Sequence, residues 1–184
     1  MSVLRRASVF LAAGMFLLAT LVFTAAPADA AAPYCGITWG SLAKAAGSHG
    51  TAPLGTVRAG RHECFDRVVF EMDGPASGYQ VRYVSEVRTQ GEGAVLPLAG
   101  GAYLEVVLLA NVFDELGHLH YSGMVGDRLD VSGYRTLRDV KFGGCFEGST
   151  TFGVGVRARL PFRVFTLAGP GSHSRIVVDV AHAW

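Results

Sequence analysis

Apolar and polar residues alternate along most of the chain after residue 54, and glycine-rich stretches interrupt the alternation. In "TTFGVGVRARL" (150–160), every second residue from Phe152 to Leu160 is apolar, and the residues between them are glycine or arginine. A period of two places successive side chains on opposite faces of a strand. Turn signals such as "DGPASG" and "AGPGSHS" separate at least seven such runs. This pattern predicts a mostly-β chain folded as an antiparallel sandwich or barrel.

Two of these runs carry nearly the same phrase: "DRVVFEMDGP" at 66–75 and "SRIVVDVAHAW" at 174–184. Each begins with an arginine, continues through Val or Ile, and reaches an acid four residues after the arginine. Because positions four apart on a strand are about 13 Å apart, the arginine and the acid must pair with neighbouring strands. The alternation predicts six buried residues: Val68, Phe70, Met72, Ile176, Val178 and Val180.

The similarity extends beyond this phrase. "VRAGR" at 57–61 is matched by "VRARL" at 156–160, and "RVVFEMDGP" at 67–75 by "RVFTLAGP" at 163–170. An ancient duplication of a two-strand unit would explain both matches, and two such units side by side would close a sandwich. The alternative is that any edge hairpin with Arg and Gly-Pro has this appearance.

The first thirty residues predict a secretory signal. Arg5 and Arg6 precede an apolar stretch from about Val9 to Phe23, and "ADA" at 28–30 fits an A-x-A cleavage site. We therefore expect a secreted, extracytoplasmic protein with a single domain over 31–184. The alternative is an uncleaved membrane anchor, since the apolar run approaches the length that spans a bilayer.

Charge and cysteine content narrow the classes of protein further. Without residues 1–30, which hold two arginines and one aspartate, the 16 basic and 15 acidic residues fall to 14 of each. This balance argues against binding to nucleic acid or a membrane surface through bulk charge. A disulfide is permitted outside the cytoplasm, and we favour Cys35–Cys64, which would fix Trp39 against the first hairpin and leave Cys145 free. "WGSLAKAAG" (39–47) predicts a short N-terminal helix ended by Gly47.

The stretches 57–75 and 156–184, together with "CGITWGSL" (35–42), resemble the AMIN-like domain of secreted actinobacterial proteins. That family is named after the AMIN domain, a non-catalytic targeting module found beside cell-wall amidases and in secretins. The resemblance implies a β-sandwich with internal symmetry, no enzymatic activity, and a cell-wall location. The implied partner is peptidoglycan, another wall polymer, or an envelope protein.

The residues themselves provide only weak candidates for catalysis or metal binding. His118 and His120 share one face of an extended segment, but a zinc site needs three or four ligands and none completes it. "HECFDR" (62–67) contains a base, acids and a thiol, but the alternation divides them between two faces. Nucleophile-elbow, phosphate-loop and dinucleotide-binding motifs are absent from the sequence. We predict no catalytic residues, no metal and no cofactor.

Outward-facing arginines are the predicted ligand-binding residues, because guanidinium groups suit the carboxylates of wall peptides and the phosphates of teichoic acids. Side-by-side repeat units would gather them on one sheet face, which Gly60, Gly153 and Gly155 would keep shallow. The residues are Arg58, Arg67, Arg157, Arg159 and Arg175. Alternatively, they pair with Glu71, Asp73 and Asp179 on neighbouring strands and only solvate the sheet.

The stretch 111–135 interrupts the strand pattern for some twenty-five residues. A loop of that length in a compact domain is usually functional or disordered. Its aromatic and acidic side chains suit contact with a glycan or a protein, or the loop covers an open sheet end. The sequence thus leaves two functions open: an envelope-polymer binding module, or an extracellular protein-interaction or structural domain.

Overall fold

The computed structural model describes residues 32–184. The predicted signal, residues 1–30, lies outside the described residues. Eleven strands follow a short 3-10 helix at Tyr34–Gly36. The strands are β1 (Lys44–Ala46), β2 (Leu54–Arg61), β3 (Phe65–Met72), β4 (Tyr79–Val84), β5 (Val87–Arg88), β6 (Val95–Leu96), β7 (Ala102–Leu108), β8 (Leu137–Phe146), β9 (Ser149–Val156), β10 (Phe162–Ala168) and β11 (Ser174–Ala181). Within residues 32–184, no helix has the length and hydrophobicity needed to cross a bilayer.

Two antiparallel sheets pack face to face, which confirms the predicted sandwich. The larger sheet has the order β1-β4-β7-β9-β8, and the smaller has the order β10-β11-β3-β2. A third, two-stranded sheet consists of β5 and β6. As expected from the sequence, no strand is assigned between Leu108 and Leu137.

The hydrophobic core lies between the two large sheets. All six residues predicted to face inward from β3 and β11 are fully buried. Phe70 of the smaller sheet contacts Phe152 of the larger, with ring centroids 5.0 Å apart, and Tyr83 and Phe162 meet at 5.5 Å. The inner face is apolar apart from Asp66 at the start of β3, and the other charged side chains of β3 and β11 lie on the opposite, outer face.

The repeated phrase is explained by the pairing of β3 with β11. The two strands are adjacent and antiparallel, and Val69 lies opposite Val177. On one side of that central pair Arg67 is opposite Asp179, and on the other Glu71 is opposite Arg175. Because both strands carry an arginine and an acid four residues apart, the antiparallel pairing places the arginine of each strand opposite the acid of the other. The hairpins β2–β3 and β10–β11 lie side by side in the smaller sheet. The second predicted repeat unit, 156–170, is divided between the sheets instead, because β9 of the larger sheet ends at Val156 and β10 belongs to the smaller sheet.

The helix predicted over 39–47 is wrong. Residues Lys44–Ala46 form the edge strand β1, paired with β4. A nine-residue segment is too short for a stable helix without tertiary support, and the edge of β4 offers hydrogen-bond partners instead. Gly47 does end the element, with φ +72°, and a Cβ there would lie 2.8 Å from the Gly78 backbone.

The cysteine predictions are confirmed. Cys35 and Cys64 form a disulfide that closes a loop with a sequence separation of 29, and Cys145 is free and half-buried. The bridge holds the N-terminal segment against the start of β3. Trp39 packs edge-on against Phe65 there, with ring centroids 5.5 Å apart.

Two of the glycines expected to leave a shallow binding face are instead covered by the chain itself. A Cβ on Gly153 would lie 2.7 Å from Leu98, and one on Gly155 would lie 1.9 Å from the carbonyl oxygen of Ala99. The segment after β6 therefore packs directly on β9. Gly60 is different, because a Cβ there meets nothing closer than His62, at 3.8 Å.

We expect Gly155→Ala to lower the free energy of unfolding by roughly 1–3 kcal/mol, the usual range for overpacking. The new methyl group would displace the Ala99 carbonyl, a backbone atom that cannot rotate away. Urea unfolding followed by circular dichroism measures the loss. Gly60→Ala is the matched control, because it also lies in a strand but a Cβ there has open space around it. Equal stability of the two variants would refute the close packing of Ala99 on Gly155.

Candidate binding face

The outer face of the smaller sheet carries four arginines, and we call this group the arginine face: Arg58, Arg67, Arg163 and Arg175. The strand register arranges them in rows across the sheet. One row reads Gly60, Arg67, Asp179, Arg163, and the next reads Arg58, Val69, Val177, Phe165. Three of the five arginines predicted from sequence therefore share a face.

The centre of this face is one carboxylate held between two guanidinium groups. Arg67 donates from Nε to Asp179 Oδ1 at 2.6 Å and from a terminal nitrogen to Oδ2 at 2.9 Å. Arg163 Nε donates to Oδ2 of the same carboxylate at 2.8 Å. The Asp179 side chain has no solvent exposure, whereas 22% of Arg67 and 41% of Arg163 is exposed. Its hydrogen bonds to Asp179 raise the pKa of Arg67 despite partial desolvation.

Aromatic rings surround this group and restrict the two guanidiniums. The Arg163 guanidinium lies 4.4 Å from the centre of the Trp39 ring and 4.9 Å from that of Phe165. Arg67 lies 5.3 Å from the Phe65 ring and 5.5 Å from Phe165. Cations over aromatic faces at these distances attract the ring quadrupole. The disulfide contributes to the site because it holds the segment that carries Trp39.

Arg58 and Arg175 occupy the flanks of the face. Arg58 forms an ion pair with Glu71 at 2.5 Å, and its side chain is 55% exposed. Arg175 lies opposite Glu71 across the β3–β11 pairing and donates to the Ala168 carbonyl at 3.4 Å. The alternative expectation, that arginines pair with acids on neighbouring strands, is confirmed for Arg58 and Arg67.

Arg157 and Arg159 are not on this face, so the expectation that they join Arg58 there is wrong. Strand β9 ends at Val156 and belongs to the other sheet. Arg157 donates to the His182 carbonyl, and Arg159 donates to the hydroxyl and carbonyl oxygens of Ser41 at 3.2 and 3.0 Å. The alternation of apolar and polar residues continues to Leu160, but the strand itself ends at Val156, so the sequence pattern predicted the wrong face for these two arginines.

Asp73 also differs from its expected role, since it contacts histidines and no arginine. His120 Nδ1 is 2.6 Å from Asp73 Oδ2, and His173 Nδ1 is 3.2 Å from Oδ1. His118 and His120 both contact Asp114, at 2.9 and 3.4 Å. These imidazoles and carboxylates pair with one another, and residues 32–184 contain no group of three ligands placed to hold a metal ion.

The "HECFDR" stretch separates into unrelated environments. Cys64 is in the disulfide, and Arg67 is on the arginine face. Asp66 is buried, accepts hydrogen bonds from the Thr136 and Leu137 amides, and lies 3.2 Å from His182 Nε2. The structure brings no nucleophile and base together in this stretch.

Arg163 is the residue that sequence reasoning missed. Its signal was present, because the match between 67–75 and 163–170 aligns Arg163 with Arg67. In the structure both equivalent arginines bind the same carboxylate. Two guanidiniums and one carboxylate leave one formal positive charge at the centre of the face. Its unused N–H donors and the adjacent rings can bind an anionic group on a flat or sugar-like ligand.

Comparison with known proteins gives a match to the model of the AMIN-like domain over residues 52–182. That range contains both hairpins of the smaller sheet and therefore the whole arginine face. No curated protein and no solved structure matches the chain.

Proposed function

Because this chain belongs to the AMIN-like domain family, we propose that it is a non-enzymatic module that binds a polymer of the cell envelope. Peptidoglycan or another anionic wall polymer is the ligand, and the arginine face is the binding surface. The predicted signal and the Cys35–Cys64 disulfide support an extracytoplasmic location. The proposal includes Arg58, Arg67 and Arg175 from the sequence prediction and adds Arg163.

One observation carries the proposal: the buried Asp179 carboxylate fixes two partly exposed guanidiniums beside aromatic rings. If the arginines served only to neutralise Asp179, a single bidentate partner would satisfy both oxygens. The second arginine leaves a positive charge on the surface, and its orientation is already set before a ligand arrives. Such preorganisation lowers the entropic cost of binding.

We expect Arg163→Ala to weaken binding to purified cell-wall sacculi by about tenfold or more, since a hydrogen bond to a charged group contributes roughly 1.5–3 kcal/mol. Sedimentation at low and moderate salt measures the bound fraction. The fold should survive, because Arg67 still binds both oxygens of Asp179.

Arg82→Ala is the matched control, since Arg82 is an exposed arginine paired with Glu105 on the larger sheet. Wild-type binding by that variant and reduced binding by Arg163→Ala support the proposal. Equal binding by both variants would remove the arginine face from consideration. Arg157 and Arg159 remain predicted ligand-binding residues, and a double alanine variant in the same assay measures their contribution separately.

A second function, docking of an extracellular or envelope protein, is favoured by exposed apolar side chains in the 111–135 loop. Phe113, Leu119, Met124 and Val125 are between 45% and 73% exposed and lie beside a shallow cleft. This second function would be supported if the protein does not sediment with sacculi but co-purifies with one envelope protein, and if substitutions in this loop abolish the co-purification.

A further inference from the structure

A cluster of three histidines and two acids joins three separate segments of the chain. Asp73 follows β3, His173 lies in the turn between β10 and β11, and Asp114, His118 and His120 lie in the long loop. None of these residues belongs to the arginine face. We call residues 113–120 the clasp turn, because the cluster joins them to the end of the smaller sheet.

The clasp turn is a compact unit organised by Asp114. Asp114 Oδ1 accepts hydrogen bonds from the amides of Leu116 and His118, at 2.9 and 2.8 Å. The Asp114 amide in turn donates to the His118 carbonyl, and Phe113 pairs with Leu119 as an isolated bridge. His120 donates from its amide to the Val112 carbonyl. This network holds the turn together internally but does not by itself attach it to Asp73.

His120 provides that attachment through both of its ring nitrogens. Nδ1 is 2.6 Å from Asp73 Oδ2, and Nε2 is 3.4 Å from Asp114 Oδ2. An ionised carboxylate only accepts hydrogen bonds, and a neutral imidazole has a single N–H donor. Only the doubly protonated ring can therefore donate to both acids at once.

We propose that His120 is a proton-dependent clasp, which holds the clasp turn against Asp73 when the ring is charged and releases it when the ring loses a proton. The nearby titratable groups are consistent with this role. Nδ1 of His118 lies 2.9 Å from Asp114 and Nδ1 of His173 lies 3.2 Å from Asp73, and Glu115 is the remaining acid beside them. Three imidazoles therefore face the carboxylates of Asp73 and Asp114, and loss of the second proton of His120 leaves one of these two carboxylates without its donor from that ring.

The pKa shifts give the direction of the pH dependence. Its hydrogen bond to Asp73 raises the pKa of His120 above 6.5, with a further contribution from Asp114. The clasp is therefore fully formed below pH 6.5 and is lost as the pH rises through the elevated pKa of His120. Although desolvation opposes it, hydrogen bonding to the His118 amide and to both imidazoles holds the pKa of Asp114 well below its usual range. Asp114 thus stays ionised throughout the range in which His120 titrates.

Hydrogen exchange on the whole secreted chain tests the clasp, with rates corrected for intrinsic pH effects. From about pH 5.5 to about pH 8.5, we expect the amides of Leu116, Gly117 and His118 to lose protection. In His120→Gln, protection of these amides should be low and equal at both pH values. His49→Gln, an exposed histidine on a different segment, should behave as wild type.

A second variant tests the proposal independently, in case His120→Gln changes the structure of the loop. Asp73→Asn leaves every histidine in place but removes the charge opposite Nδ1, so protection should be lost at a lower pH than in wild type. Equal protection of the wild-type turn at both pH values would refute the proposal. So would protection that persists at about pH 8.5 and disappears with a chelator, since a metal ion would then hold the turn.

Discussion

Asp179→Asn is expected to lower the free energy of unfolding by about 3 kcal/mol, near the lower end of the range for breaking a buried ion pair. The substitution preserves the shape of the side chain but leaves the guanidiniums of Arg67 and Arg163 facing each other without an anion. Both arginines reach solvent, which limits the cost, whereas Asp179 is fully buried. Urea unfolding, followed by circular dichroism, provides the measurement.

Glu105→Gln is the appropriate control for this prediction. It breaks the ion pair with Arg82 on the larger sheet, where 62% of the arginine side chain is exposed. Exposed pairs of this kind contribute about 0–1 kcal/mol. If Asp179→Asn is no more destabilising than Glu105→Gln, the Asp179 carboxylate does not organise the face.

Removal of the disulfide is expected to have an effect of similar size. Cys35→Ala with Cys64→Ala should cost about 3–4 kcal/mol, since the bridge closes a loop of some thirty residues. The N-terminal segment would also lose its attachment to β3, and Trp39 would no longer be held over Phe65 and Arg163. We therefore expect weaker binding to sacculi in addition to lower stability.

Cys145→Ala provides the comparison, because Cys145 forms no disulfide and is half-buried. Its effect on the free energy of unfolding should stay at or below about 1 kcal/mol, the centre of the range for single substitutions, because Cys145 is only half-buried at the edge of the core. The account of the bridge fails if the double cysteine variant unfolds at the same urea concentration as Cys145→Ala and wild type.

Much of the fold could be predicted because the strands alternate so regularly. The inward residues of β3 and β11 followed from the pattern alone. The error at 39–47 has a different cause, since Ala-rich composition favours a helix locally and pairing with β4 overrides it. Local propensity contains no information about which sheet edge is free.

The candidate site was predictable only in part, because register and strand ends determine which arginines meet. Arg67 and Asp179 could be placed on outward faces, but their pairing depends on β3 and β11 being antiparallel neighbours. Arg157 and Arg159 follow the same alternation and still lie beyond the end of β9. The contact between His120 and Asp73 spans 47 residues and involves no repeated motif, so no sequence pattern indicated it.

Mapping of the ligand-contact surface tests the central proposal most directly. Soluble fragments released from the cell wall are added to the isotopically labelled protein, and chemical shifts are recorded residue by residue. The account predicts changes centred on Arg67, Arg163 and Trp39, with smaller changes at Arg58 and Arg175 and none at Arg82. Changes confined to the larger sheet or to the 111–135 loop, or no changes at saturating fragment, would contradict it.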